Sequence, residues 1–159
     1  MKLESKYIIW PSVIYYSGGA IIAFFILVST IGLPTLLYHF VPFLITVIVF
    51  SFYVFSGAFF LKHPNYSFAK DVFLIAIFFQ TIKLEIAGFS FKNTFGPYID
   101  LIVQNDGGIE ILLRANYMSI FILNGSGDSY TSNYFSVNLI NIFTMVIIDY
   151  YFKKSICNE

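Results

Sequence analysis

The sequence predicts an all-α integral membrane protein with four transmembrane helices, on three observations. From Tyr7 to Leu61 run 55 consecutive residues without an Asp, Glu, Lys or Arg. Across the chain 58% of residues are apolar, only 11% are charged, and mean hydropathy is +0.78, beyond an ordinary soluble domain. The basic residues fall in pairs that suit repeated crossings. A helix rises ~1.5 Å per residue, so the first run would reach roughly 80 Å against a hydrocarbon core ~30 Å thick. It must cross, turn and cross back. The remainder has room for two more spans, in one membrane domain of residues 1–159.

Span one is expected over residues 11–31. Lys2 and Lys6 precede it as in a signal peptide, but the apolar stretch is too long and no small-residue cleavage pattern follows, so a retained anchor is expected. Gly32-Leu33-Pro34-Thr35 breaks the helix. Span two then occupies residues 36–60, with Pro42 near its start. Folding this hairpin brings Ser17-Gly18-Gly19-Ala20 to the depth of Ser56-Gly57-Ala58. Small residues let helix backbones approach in lipid, which makes Gly18, Gly19, Gly57 and Ala58 the expected close-packing positions.

After Lys62-His63-Pro64-Asn65, span three is placed at residues 68–88. Its uncharged stretch, Val72 to Ile82, has only 11 residues, so charge must enter the membrane at its ends. Residues 89–133 form an outer loop. Within it, residues 109–124 read as a short amphipathic helix, with Asp106 near the N-cap, a Glu110 to Arg114 pair and Gly125 as stop. The competing reading is a β-hairpin of residues 98–104 and 109–114 turning through Asp106-Gly107-Gly108. The helix is preferred because the pattern after Gly108 does not alternate strictly. Span four covers residues 134–152 and closes on Lys153-Lys154.

With four crossings Lys2, Lys6, Lys62, Lys70, Lys153 and Lys154 all fall on one side, six of nine basic residues. The positive-inside rule makes that side cytoplasmic, with both termini inside and the loop of residues 89–133 outside. A multi-pass protein of a bacterial inner or plasma membrane is expected.

Lys83, with Gln80, Thr81 and Glu85, is the strongest candidate for an intramembrane polar site, because a charge in lipid points into a bundle or snorkels to its edge. Asn138 and Asn141 of span four lie at the depth of Lys83 and Gln80. Gln80, Lys83, Glu85, Asn138, Asn141 and Asp149 therefore form a candidate polar seam between helices three and four. Asn138, Asn141, Met145 and Asp149 fall along one helix side, which suits self-association through amide hydrogen bonds. Asp149 also stands four residues before Lys153, the spacing of a local ion pair.

Several function classes are disfavoured. Formal charge is zero, nine basic residues against nine acidic, without the basic cluster that nucleic acid requires. Cys157 is the one cysteine and cannot form an intramolecular disulfide. His39 and His63 fall at opposite membrane faces without metal-ligand partners. No phosphate loop, zinc cluster or nucleophile and base pair stands out, and the first helix lacks the acid that small multidrug exporters carry. No cofactor, metal or catalytic residue is expected.

In general character alone the chain resembles the small membrane subunits of bacterial phage-defence or toxin-immunity systems. Two short cytoplasmic tails and one small inner loop leave too little surface for catalysis but enough to dock a soluble protein. The expectation is a non-enzymatic, self-associating homo-oligomer in the lipid bilayer, serving as anchor, sensor or immunity-type subunit for a soluble cytoplasmic partner protein. The alternative is a small oligomeric ion channel or transporter using the seam of helices three and four.

Overall fold

The computed structural model describes residues 3–31, 40–86, 89–94, 98–105, 108–116, 119–125 and 133–156. They divide into two compact units, residues 1–77 with 144–159 and residues 78–143.

The first unit is helical. Helix α1 (Leu3–Val13) passes through a π-helical turn, Ile14–Gly18, into α2 (Gly19–Ile31). Helix α3 (Phe40–Lys62) follows, and α4 (Ser67–Thr81) and α5 (Leu139–Ile156) contribute residues to both units. Among the described residues two stretches are long and apolar enough to cross a membrane, Ile9–Ser29 and Phe43–Lys62, 21 and 20 residues. Both present large apolar side chains outward, among them Ile22, Phe25, Ile48 and Phe55. Inward they bury large apolar residues, Val13, Tyr16, Phe50, Tyr53 and Phe60 among them, and at the closest approach small and polar groups. Ser17 Oγ and Ser56 Oγ both donate to the Tyr53 carbonyl, at 3.0 and 2.9 Å. A Cβ on Gly57 would lie 1.9 Å from Ser17 Oγ and 3.0 Å from Val13 Cγ1, so the backbones meet there because Gly57 has no side chain. A compact cluster of Ile9, Val13, Tyr16, Phe60, Phe73, Ile77, Ile148 and Phe152 forms the core of this unit.

The second unit corrects the all-α expectation. Residues 82–138 carry six antiparallel strands, β1 (Ile82–Ile86), β2 (Phe89–Thr94), β3 (Tyr98–Asn105), β4 (Ile109–Asn116), β5 (Ser119–Gly125) and β6 (Asn133–Asn138), in the order β4-β3-β6-β1-β2-β5. Four transmembrane helices are therefore not supported. The third expected span, residues 68–88, is a helix of 15 residues that ends at Thr81 and gives way to β1. Ile82-Lys83-Leu84-Glu85-Ile86 alternates apolar and charged at period two, which a strand satisfies and a lipid-crossing helix does not. The fourth, residues 134–152, begins as strand β6, and helix starts only at Leu139. Asn138 Oδ1 accepts the Ile140 N–H at 3.0 Å, so Asn138 is the N-cap of α5 rather than a position inside a span.

The amphipathic helix of residues 109–124 is also corrected. Strands β3 and β4 pair from Tyr98↔Asn116 to Asn105↔Ile109, the arrangement of the competing hairpin. Residues 106–107, part of its expected turn, lie outside the described residues, as do the expected helix break at residues 32–35 and His39. The two places where alternation fails, Ile102 and Leu112, stand opposite one another in register. They form a cross-strand apolar pair rather than one stripe of a helix.

Chain connectivity makes this sheet curl. Strands β4 and β5 occupy opposite edges yet are separated in sequence only by residues 117–118. Six strands laid flat would hold those edges ~24 Å apart at ~4.8 Å per spacing. Three Cα steps reach at most ~11 Å. The sheet must bend to bring β4 towards β5 at the linked end, and an even number of strands lets all neighbours stay antiparallel.

Candidate functional site

The polar cluster lies on the buried side of the sheet and is assembled by strand register. In β3 the positions alternate, with Tyr98, Asp100 and Ile102 buried and Ile99, Leu101 and Val103 exposed. In β6 Ser136 and Asn138 are buried while Phe135 is exposed. Lys83 stands opposite Ser136, and Asp100 stands opposite Asn138. Because β6 runs between β1 and β3, Lys83 and Asp100 approach diagonally across it. Their side chains meet with Lys83 Nζ donating to Asp100 Oδ2 at 2.6 Å, each about 4% exposed. The ammonium also sits 3.1 Å from the centroid of the Tyr98 ring, a cation–π contact.

This pair is closed electrostatically but not saturated in hydrogen bonds. Among the described residues, Asp100 Oδ1, Ser136 Oγ and Asn138 Nδ2 are buried without a protein hydrogen-bond partner. Buried polar atoms are paired in the great majority of cases, so the cluster has donor and acceptor capacity for a small polar group. No group of three or more His, Cys, Asp or Glu able to hold a metal was found among the described residues.

Of the expected seam, Gln80, Lys83, Asn138 and Asn141 are all buried in the second unit, but only Gln80 and Asn141 lie on helices. Lys83 and Asn138 are strand residues. Glu85 lies in β1 in register with Ser90 and Tyr134. Asp149 belongs to the helical unit. There it pairs with Lys153 at 2.7 Å, the spacing of one helical turn, and with Lys70 at 2.7 Å. Lys70 also approaches Asp71 at 3.3 Å and the Phe152 ring at 5.0 Å.

Burial works against the Lys70 ammonium, but its hydrogen bonds to Asp149 and Asp71, with their charges, outweigh that and raise its pKa. The hydrogen bonds from Lys153 and then Lys70 hold the Asp149 carboxyl below its ordinary value.

The expected close-packing positions separate in the same way. Gly57 is at the close approach, and Ala58 beside it is exposed. A Cβ on Gly18 would meet only Ile14 Cγ2, at 4.0 Å, and Gly19 begins α2, half-buried.

Sequence reasoning missed Asp100 as the partner of Lys83 and Lys70 as the partner of Asp149. The first signal was available in the alternation of Ile99, Leu101 and Val103 around Asp100, which puts that acid on the opposite side from the apolar residues. The second spans 79 residues and carries no local signal. No family model, curated protein or solved structure matches this chain.

Proposed function

We propose that this is a non-enzymatic, membrane-anchored subunit whose helical hairpin holds it in a bilayer and whose β unit is its binding module. The observation that carries this is the outward display of Ile22, Phe25, Ile48 and Phe55 on stretches of 21 and 20 residues, around a contact of Ser17, Ser56 and Gly57. Large apolar side chains facing outward, with small residues where the two backbones approach, is the arrangement that lipid favours. With one hairpin crossing the membrane, both termini and the β unit share a side. Lys2, Lys6, Lys62, Lys153 and Lys154 make that side cytoplasmic by the positive-inside rule. Such a subunit acts by self-association and by engaging a soluble partner, in the general manner of defence or immunity components.

The test is extraction followed by function. Membranes washed with alkaline carbonate should retain the protein and release it only to detergent, and crosslinking in intact membranes should yield homo-oligomers. Release by carbonate alone would contradict the anchor.

A channel or transporter is the second reading, supported by the burial of Gln80, Lys83, Asp100, Asn138 and Asn141 in one unit. The closed Lys83–Asp100 pair weighs against it, since both charges are already matched. Ion flux through reconstituted protein, altered by Lys83→Ala with assembly intact, would favour transport.

A further inference from the structure

We propose that the outer face of the curled sheet contacts lipid acyl chains. This rests on the membrane residence proposed above and extends it from the helices to the β unit. The sheet is inverted relative to a soluble one. Lys83, Asp100, Ser136 and Asn138 are buried, while Ile99, Leu101, Val103, Ile111, Leu113 and Phe135 are exposed, Ile111 and Leu113 at 69% each. Register places these apolar side chains on one face, through Leu101↔Leu113, Val103↔Ile111 and Val103↔Phe135. Among its described positions no charged residue occurs, and the polar ones, Asn105 and Asn133, stand opposite each other at the strand ends.

A contiguous apolar face of this kind requires a cover. Two features assign it to hydrocarbon. Only 19 residues separate Lys62, the end of the second apolar helix, from Ile82, so chain length alone keeps the sheet within reach of a bilayer that holds that helix. Lys83, Asp100, Ser136 and Asn138 lie buried on the opposite side, and the curl turns the apolar face outward in several directions, which a fluid surround fits better than one flat protein partner. Apolar-out, polar-in alternation is the pattern of sheets that have lipid as solvent. Strands of at most eight residues fall short of the ~9–11 needed to cross. The sheet is therefore embedded in the membrane without spanning it.

Tryptophan probes placed in a Trp10→Phe background and reconstituted into brominated phosphatidylcholine vesicles test this. Leu113→Trp and Phe135→Trp report on the sheet, and Phe55→Trp, on the second apolar helix, reports on the anchor. Loss of emission at Leu113→Trp and Phe135→Trp comparable to that at Phe55→Trp is the expected result. If Phe55→Trp is quenched and both sheet probes are not, the lipid contact is overturned while the anchor stands. If Phe55→Trp itself is not quenched, the anchor fails and the inference falls with it. A disulfide-linked dimer formed by Leu113→Cys in a Cys157→Ser background, with the sheet probes unquenched, would assign the face to a second copy instead.

Discussion

At the scale of single residues, the closest approach and the buried ion pair make the sharpest demands. Gly57→Ala would drive a Cβ into Ser17 Oγ, and rotating Ser17 away sacrifices its hydrogen bond to Tyr53. A loss of about 1–3 kcal/mol is expected from such overpacking, read as thermal unfolding in detergent. Gly18→Ala meets nothing closer than 4.0 Å and should stay within about 1 kcal/mol of the parent. Equal losses at the two positions would refute the packing assignment. For the second unit, Lys83→Met or Asp100→Leu alone leaves an uncompensated buried charge and should cost about 3–5 kcal/mol. The double substitution should return part of that loss. Additive losses in a double-mutant cycle would mean that the 2.6 Å contact carries no coupling.

The Lys70, Asp149 and Lys153 cluster gives a signed pH dependence. Asp149 is depressed below its ordinary 3.8, so its contribution is present above that value and lost as pH falls through the lower folded one. Lys70 is raised above 10.5, so its contribution is present below that value and lost as pH rises through the higher folded one. The parent should therefore exceed Asp149→Asn in stability by a constant margin from about pH 5 to about pH 9. The two should converge in stronger acid. A margin that grows on acidification would contradict the ion-pair assignment.

At the scale of elements, legibility depended on whether a segment's pattern was local. The two apolar helices were readable because length and composition alone decide them, and α5 was readable beyond Leu139. The strands were hidden by the hydrophobicity that makes them unusual. In a water-soluble sheet the alternation of Ile82-Lys83-Leu84-Glu85-Ile86 marks a half-buried strand, but at the end of the 11 uncharged residues 72–82 it reads as the charged end of a span. The single break in alternation at Leu112 argued for a helix, whereas its partner Ile102 resolves it only once the register is known. Register is therefore the element to test. Val103→Cys with Ile111→Cys, directly opposite across β3 and β4, should form an intramolecular disulfide, since opposed strand positions fall within bridging distance. A helix over residues 109–124 would leave Val103 on a separate loop without a fixed partner, and no crosslink would form.

For the whole molecule, the proposed anchor with two crossings rather than four would put residues 89–133 on the cytoplasmic side instead of outside. The candidate seam was legible in part: the burial of Gln80, Asn138 and Asn141 followed from polarity within an apolar chain, whereas for Lys83 the sequence leaves burial and snorkelling to the membrane edge both open. Their placement was not legible, because Asp100 reaches Lys83 only through β6, which is more than 30 residues further along the sequence. Impermeant thiol labelling of intact cells, with single cysteines in a Cys157→Ser background, distinguishes two crossings from four. Thr35→Cys, between the two apolar helices, should react, while Lys62→Cys and Asp128→Cys should react only after permeabilisation. Reaction at Asp128→Cys in intact cells, with Lys62→Cys protected, would require another crossing between those positions and contradict the anchored β unit.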